Sequence, residues 1–207
     1  MKLFPYLVLM RPANIITAIS DVIAGAAICG FLILADHTAD WLKLMFLVLS
    51  TIGLYGGGIV FNDVCDLELD KVERPERPIP SGQVTKNQAL NLALSLYTFG
   101  IALAFLCSPT SGIIAIAIAI CASLYDKYGK HHGLLGPLNM GVCRGLNLLL
   151  GMSILPFYMI SDVFFISFIP VIFVAAITLT SQGEVLGNNK LSVIFALVLD
   201  GIIAGIL

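Results

Sequence analysis

Long apolar runs separated by short polar segments set the pattern of this 207-residue chain. A helix that crosses a membrane needs about 20 predominantly apolar residues. Runs near that length predict spans at 13–35, 42–61, 87–107, 111–125, 138–158, 162–182 and 191–207. Because the last run contains Asp200 and reaches the final residue, we expect a C-terminal truncation inside or just after a seventh helix.

The composition places the chain in the membrane class. Hydrophobic residues make up 58% of the sequence and charged residues 12%, whereas soluble domains carry about 25% charged residues. We therefore predict an all-α polytopic membrane protein with a single transmembrane domain over 1–207. The lipid bilayer is its expected surroundings, and no nucleic acid is expected among its partners. The five cysteines are scattered without a CxxC pair, which is typical of reduced packing residues.

The basic residues predict the orientation of the chain. If the N-terminus is cytoplasmic, the outer segments hold only Lys43. The inner segments then hold Lys2, Arg11, Lys71, Arg74, Arg77, Lys86, Lys127, Lys130, Arg144 and Lys190. The excess of inner lysine and arginine favours a cytoplasmic N-terminus in a multi-pass protein of the cell inner (plasma) membrane.

An acidic stripe follows the second predicted span. At about 100° per residue, Asn62, Asp63, Asp66 and Asp70 share a helix face about 100° wide, and Glu68 lies on the far side. Carboxylates on one stripe repel one another unless a cation lies among them, and Mg²⁺ prefers such oxygen ligands. Arg77 follows in the next loop, and guanidinium groups pair with phosphate. The alternative is a solvated helix end with ordinary surface charges.

Two flanking signals bear on how this stripe is held. Thr85 followed by Gln88 predicts a capping box at the start of the third span. Gly56, Gly57 and Gly58 thin the second helix just before the stripe. Two interpretations of these glycines stay open, which are close packing of a neighbouring helix or ligand and a local break in the helix.

The stripe and the loop after it resemble the first signature motif of the UbiA superfamily of intramembrane prenyltransferases. That motif reads N-D-x-x-D-x-x-x-D and is followed by R-P-x-x-x-G, here Arg77, Pro78 and Gly82. The resemblance implies a transmembrane helix bundle with a central cavity opening to the cytoplasmic side. It also implies that Mg²⁺ bridges a prenyl diphosphate to acidic motifs, and that an acceptor attacks the allylic cation formed by ionisation. It assigns the catalytic acids and metal ligands to Asn62, Asp63, Asp66, Asp70 and Glu184, with Asn62 as a ligand only.

Further substrate-binding candidates come from weaker parts of the same resemblance. Tyr125 and Lys130 are similar to a Y-x-x-x-K-R segment, although an inward-facing basic loop would also place a lysine there. Arg144 lies inside an apolar segment, where it either faces the cavity or snorkels to the interface. Asn14, at the entrance of the first helix, is a candidate for the cavity wall.

The second acidic motif departs from the family pattern. Glu184 and Asn188 keep the i, i+4 spacing, but only one of them is acidic, and Lys190 follows as a candidate phosphate contact. This departure is similar to a divergent UbiA-like branch found in ebo gene clusters. Two hypotheses follow from the resemblance and from this departure. One is an Mg²⁺-dependent transfer of a prenyl group to a small aromatic or lipidic acceptor, and the other is a non-catalytic membrane carrier for a secondary-metabolite precursor.

Overall fold

The computed structural model describes residues 3–35, 38–129, 132–155 and 162–185, together with 194, 198 and 201. For 38, 39 and 181–185 it describes the backbone only. The α-helices within these ranges are α1 (Phe4–Met10), α2 (Pro12–Ile28), α3 (Phe31–Leu34), α4 (Thr38–Cys65), α5 (Leu67–Glu73), α6 (Lys86–Cys107), α7 (Pro109–Lys127), α8 (Leu135–Met152) and α9 (Phe168–Val185). A 3-10 helix, Asp162–Ser167, leads directly into α9.

The long apolar helices make this a multi-pass membrane protein. Four helical stretches of the described chain are long and apolar enough to span a bilayer, and the bent pair α1–α2 raises this to five. These four are Asp40–Cys65, Lys86–Cys107, Pro109–Lys127 and Asp162–Thr180. The helix α8 is not among them, because Asn139, Arg144 and Asn147 lower its apolar character.

The first predicted span differs from the structure. The run 13–35 does not form one helix, because α2 ends at Ile28 and the short α3 starts after Gly30, which adopts a φ of 79°. At the other end, α1 and α2 meet at an angle of 48°. Most of the predicted span 191–207 lies outside the described residues. The single-domain interpretation stays a prediction.

Glycines bring α2 and α8 into backbone contact. A Cβ atom added at Gly25 would lie 2.2 Å from the carbonyl oxygen of Leu148, and one added at Gly151 would lie 2.1 Å from that of Val22. Helices in membranes associate through such small residues, because lipid supplies no hydrophobic drive for their association. Side chains on α2 and α8 near this crossing can therefore meet directly.

The glycines before the acidic stripe serve close packing, as one of the two interpretations predicted. The helix α4 runs without a break through Gly56, Gly57 and Gly58. A Cβ atom at Gly57 would lie 3.0 Å from the ring of Tyr97 and 3.1 Å from the carbonyl oxygen of Ala93, both on α6. The thin stretch of α4 thus accommodates a buried tyrosine from its neighbour.

A small apolar core lies beneath the loop that follows α5. Its buried members come from α1, α4, the loop and α6, and they are Leu9, Val60, Val64, Ile79, Val84, Ala89 and Ala93. The predicted capping box closes this loop. The Gln88 amide donates to Thr85 Oγ1 at 3.3 Å, and the Thr85 amide donates to Gln88 Oε1 at 2.9 Å. The loop is therefore fixed at its core and at its exit.

Candidate functional site

The acidic stripe is not carried by one continuous helix, although its residues are placed on one face by the geometry of a regular helix. The helix α4 ends at Cys65, Asp66 forms a turn with φ −87° and ψ 4°, and α5 begins at Leu67. The backbone nevertheless keeps the bonds from the Asp66 amide to the Asn62 carbonyl and from the Asp70 amide to the Asp66 carbonyl, at 2.9 and 2.8 Å. Because the helical register is nearly kept across the turn, Asp63 and Asp70 still reach one common partner.

That partner is Arg77, which joins the two acids into an aspartate–arginine cluster with Arg11. Arg77 Nη1 donates to Asp63 Oδ1 at 3.3 Å and to Asp70 Oδ2 at 2.5 Å. Arg11 Nη2 also donates to Asp63 Oδ1. The two carboxylate side chains are only 4% and 5% exposed, and that of Arg77 is 16% exposed. Buried charges are stable only when they are paired, so these four residues (Asp63, Asp70, Arg11, Arg77) form one electrostatic unit.

Arg11 reaches this cluster from a strained backbone position. It is the non-glycine residue with positive φ in the described part of the chain, at φ 46° and ψ 65° between α1 and α2. The following Pro12 disfavours a right-handed helical conformation at Arg11. A left-handed non-glycine residue costs about 1–3 kcal/mol, and such strain is often found at functional sites. The bend between the two helices therefore aims the guanidinium at Asp63.

The packed loop after α5 positions Arg77. Ile79 and Val84 are buried in the small core, and the Val84 amide donates to the Pro78 carbonyl at 3.0 Å. Gly82 adopts a φ of +76°, which glycine tolerates without strain. The R-P-x-x-x-G pattern is thus the sequence of a rigid turn that fixes one guanidinium beside two carboxylates.

Asp126 extends the polar site to α7. Asn62 Nδ2 donates to Asp126 Oδ1 at 3.0 Å, and Asp126 is 5% exposed. Asp126 is absent from the predicted site, although an acid at the end of an apolar span is a signal that points to it. Its predicted neighbour Tyr125 is half-buried on the same turn of α7. Lys130 lies outside the described residues.

The remaining acidic side chains of the two motifs either lie apart from the cluster or are not described by the structure. Glu68 is exposed on α5, and a 2.8 Å hydrogen bond from Lys71 Nζ lowers the pKa of its carboxyl group. Its predicted separation from the other acids is confirmed. Glu184 lies in the last turn of α9, where the structure describes the backbone only. Asn188 and Lys190 lie outside the described residues.

Arg144 belongs to a second polar group between α2, α4 and α8, the Asp21 network. Arg144 Nη1 and Nη2 lie 3.0 and 3.1 Å from the two carboxylate oxygens of Asp21. Asn147 Nδ2 donates to Asp21 Oδ2 at 3.2 Å, and Asn147 Oδ1 accepts from Thr51 Oγ1 at 2.7 Å. Arg144 Nη1 also donates to Thr17 Oγ1 at 3.4 Å. Arg144 is therefore paired within the bundle. Asp21 is absent from the predicted site, although an acid inside an apolar span is a signal that points to it.

The donor chemistry of the site around the aspartate–arginine cluster fits Mg²⁺. Asp63 and Asp70 place carboxylate oxygens beside Arg11 and Arg77, and Asn62 and Asp126 lie next to them with further oxygen donors. Among the described residues no group of three His, Cys, Asp or Glu side chains is placed to hold a metal. Mg²⁺ ordinarily takes one or two carboxylates and completes its shell with phosphate oxygens and water. The lack of a group of three metal-binding side chains in the described residues is therefore compatible with a magnesium site.

The fold and this site define a helical membrane protein with a buried cluster of carboxylates and guanidiniums. The chain belongs to the UbiA prenyltransferase family, whose family profile matches residues 23–185.

The relatives and structural neighbours agree with this membership. The chain is 37% identical over 150 residues to digeranylgeranylglyceryl phosphate synthase of Ignicoccus hospitalis, covering 72% of this chain and 47% of the relative. It is 38% identical over 152 residues to the synthase of the same name from Saccharolobus solfataricus, covering 73% and 52%. The chain thus spans about half the length of the curated relatives it matches. The ebo branch stays a prediction.

Two solved structures resemble this fold. One concerns digeranylgeranylglyceryl phosphate synthase in membranes, with a TM-score of 0.78, 25% identity, and coverage of 96% of this chain and 73% of that one. The other is a UbiA homolog from Archaeoglobus fulgidus bound to GPP and Mg²⁺, with a TM-score of 0.70 and 14% identity, covering 86% and 62%. At that identity the second structure shows the fold alone. The predicted all-helical UbiA-like bundle is confirmed.

Proposed function

We propose that the protein is an Mg²⁺-dependent intramembrane prenyltransferase, which moves a prenyl group from a polyprenyl diphosphate to an acceptor. The observation that carries this proposal is the sharing of Arg77 by two buried carboxylates, with Arg11 on one of them. Such a cluster offers guanidinium groups and hard oxygen ligands at one point. A metal-bridged diphosphate uses both.

The arginines bind the diphosphate and stabilise its departure. Guanidinium groups form paired hydrogen bonds with phosphate oxygens, so Arg11 and Arg77 can exchange part of their contact with Asp63 and Asp70 for contact with the substrate. When the bond between the allylic carbon and the diphosphate oxygen breaks, negative charge grows on the diphosphate. Donors already aimed at that position lower the barrier most. Bound Mg²⁺, held by Asp63, Asp70 and their neighbours Asn62 and Asp66, would supply further neutralisation of this charge.

The names of the relatives favour a lipidic acceptor. The curated relatives are named for a glyceryl phosphate that carries two geranylgeranyl groups. An acceptor of that kind loses a hydroxyl proton as its oxygen bonds to the allylic carbon. The excess of inner lysine and arginine supports a site at the cytoplasmic side of the inner membrane, with a cytoplasmic N-terminus.

The carrier hypothesis is the second candidate, and one observation favours it. Both cluster carboxylates are already neutralised by arginine, and no preformed group of three metal-binding acids is present in the described ranges. A protein that holds a diphosphate without cleaving it would need no closer arrangement of acids.

Turnover by the full-length protein in nanodiscs separates the two candidates. Labelled geranyl, farnesyl and geranylgeranyl diphosphates are offered with lipidic and aromatic acceptors, in Mg²⁺ and in EDTA. We expect diphosphate release and a prenylated product in Mg²⁺ and a loss of at least about a hundredfold in EDTA, since no cation then neutralises the charge that grows on the diphosphate. Mg²⁺-dependent binding of a diphosphate without release under any pairing would establish the carrier instead.

A further inference from the structure

The hydroxyl group of Tyr97 is a buried polar group that the fold leaves without a hydrogen bond. Tyr97 lies in the middle of α6 and is only 7% exposed. Its Oη atom makes no hydrogen bond to any residue that the structure describes. Ser123 on α7 comes near this oxygen, but the Ser123 hydroxyl donates to the Ala119 carbonyl at 2.8 Å. Buried hydroxyl groups are nearly always paired, so an unpaired one needs an explanation.

Packing against α4 explains the ring of Tyr97 but not its hydroxyl group. A Cβ atom added at Gly57 would lie 3.0 Å from the ring atom Cδ1, so this glycine makes room for the ring. A phenylalanine ring would fill the same space and would leave no polar atom in an apolar surrounding. The hydroxyl group therefore lowers the stability of the fold, which is typical of a group that serves a ligand.

The Tyr97 hydroxyl lies one helical turn deeper in the bundle than the hydrogen bond between Asn62 and Asp126. A Cβ atom added at Gly58 would lie 3.5 Å from Tyr97 Oη and 3.7 Å from Ala122 Cβ, so the hydroxyl reaches the seam between α4 and α7. Asn62 follows Gly58 by four residues on α4, which is one turn, or about 6 Å, along the same face. Asp126 follows Ala122 by four residues on α7 in the same way. The hydroxyl therefore lies on the apolar side of the acidic site.

The seam beside this hydroxyl is open to a ligand bound at the acidic site. Gly58 on α4 and Ala122 on α7 are only partly buried, and so is Asn62 one turn above. Asp126 is near enough to act electrostatically on the Tyr97 hydroxyl. A molecule with its charged end at the level of Asn62 and an apolar chain in the bundle passes Tyr97 at the junction between these two parts.

We infer that Tyr97 is a catalytic residue, whose hydroxyl donates a hydrogen bond to the oxygen that joins the prenyl chain to the diphosphate. This inference rests on the proposed prenyl transfer. The joining oxygen is the junction between the charged end and the apolar chain of the donor, so it lies at the depth of Tyr97 when the diphosphate occupies the aspartate–arginine cluster. Cleavage of its bond to the allylic carbon gives an allylic cation and a diphosphate ion that keeps the electron pair. Tyr97 keeps its proton, and its hydrogen bond strengthens as charge grows on the oxygen.

Turnover by Tyr97→Phe, in the full-length protein in nanodiscs, tests this inference. With the donor and acceptor that the natural protein uses best, we expect kcat to fall about tenfold to a hundredfold while the KM for the donor changes less than about twofold, because the lost contact is strongest in the transition state. The unfolding midpoint should equal or exceed that of the natural protein, because no hydrogen bond within the protein is lost.

The matched control is Tyr128→Phe, which removes the hydroxyl of an exposed tyrosine at the end of α7. We expect its kcat to equal that of the natural protein. A kcat of Tyr97→Phe equal to that of Tyr128→Phe overturns the inference. An unfolding midpoint of Tyr97→Phe below that of the natural protein also overturns it, because the hydroxyl would then serve the fold.

Equilibrium binding in Mg²⁺ separates this inference from the proposed function. The probes are geranyl diphosphate and geranyl S-thiolodiphosphate, in which sulfur, a weak hydrogen-bond acceptor, replaces the joining oxygen. We expect Tyr97→Phe to weaken binding of geranyl diphosphate about threefold and to leave binding of the sulfur analogue unchanged. Equal weakening of both probes, or of neither, overturns the contact.

The combined outcomes distinguish the two claims. If the protein releases no diphosphate with any acceptor but Tyr97→Phe still discriminates between the probes, the contact stands and the proposed function fails. If diphosphate is released and Tyr97→Phe matches Tyr128→Phe, the proposed function stands and the inference fails. Binding of neither probe by the natural protein overturns both.

Discussion

Arg77→Ala is expected to reduce prenyl diphosphate turnover by about a hundredfold to a thousandfold, because a preorganised donor to the leaving group is lost. The same change leaves Asp70 without its arginine and Asp63 with only Arg11. Removing one partner of a buried ion pair costs about 3–5 kcal/mol, so the free energy of unfolding should fall by that amount. Steady-state turnover and denaturant unfolding in the same detergent measure the two effects.

Arg74→Ala is the matched control for this prediction. Arg74 is an exposed arginine three residues earlier, at the end of α5. Its removal deletes the same charge from the same loop, and we expect turnover to stay within a factor of about two, as for an exposed charge. Equal losses in the two variants would mean that overall basic charge matters and that the pairing of Arg77 with the acids does not.

Gly151→Ala is expected to destabilise the bundle by about 1–3 kcal/mol through overpacking. The added methyl group would lie 2.1 Å from the carbonyl oxygen of Val22, and a backbone atom cannot rotate away. The helices α2 and α8 must separate, which also stretches the pair of Asp21 and Arg144. Since alanine is otherwise favoured over glycine in a helix by about 1 kcal/mol, any measured loss understates the clash.

Gly133→Ala is the corresponding control for the packing prediction. A Cβ atom added at Gly133 meets nothing within 4 Å. We expect its unfolding midpoint to stay at that of the natural protein, while the midpoint of Gly151→Ala falls. A Gly151→Ala protein as stable as Gly133→Ala would show that the two helices do not touch at this crossing.

The sequence predicted Asp63, Asp70 and Arg77 of the cluster through spacing and local chemistry, but not Arg11. The period of the helix was enough to group Asp63 with Asp70 and to separate Glu68 from them. This worked because the backbone nearly keeps its helical register across the turn at Asp66. The capping box at Thr85 was likewise local, since both of its partners lie within one helical turn. Features determined by neighbouring residues in the chain could therefore be predicted from the sequence.

Contacts between residues far apart in the chain could not be predicted in the same way. The pairing of Arg11 with Asp63 spans 52 positions, and that of Arg144 with Asp21 spans 123. Both depend on which helices cross and at what height, and this is set by glycine contacts such as that between Gly151 and Val22. A pattern along one chain reports the polarity of Asp21 but gives no partner for it.

Calorimetric binding of geranyl diphosphate tests the central claim most directly, namely that the aspartate–arginine cluster binds a metal-bridged diphosphate. The pair of variants is Asp70→Asn and Glu68→Gln, which neutralise a buried and an exposed carboxylate of the same helix. We predict binding in Mg²⁺ and none in EDTA, an affinity at least about tenfold weaker in Asp70→Asn, and unchanged binding in Glu68→Gln. Binding that is equal with and without Mg²⁺, or equal in Asp70→Asn and the natural protein, would contradict the claim.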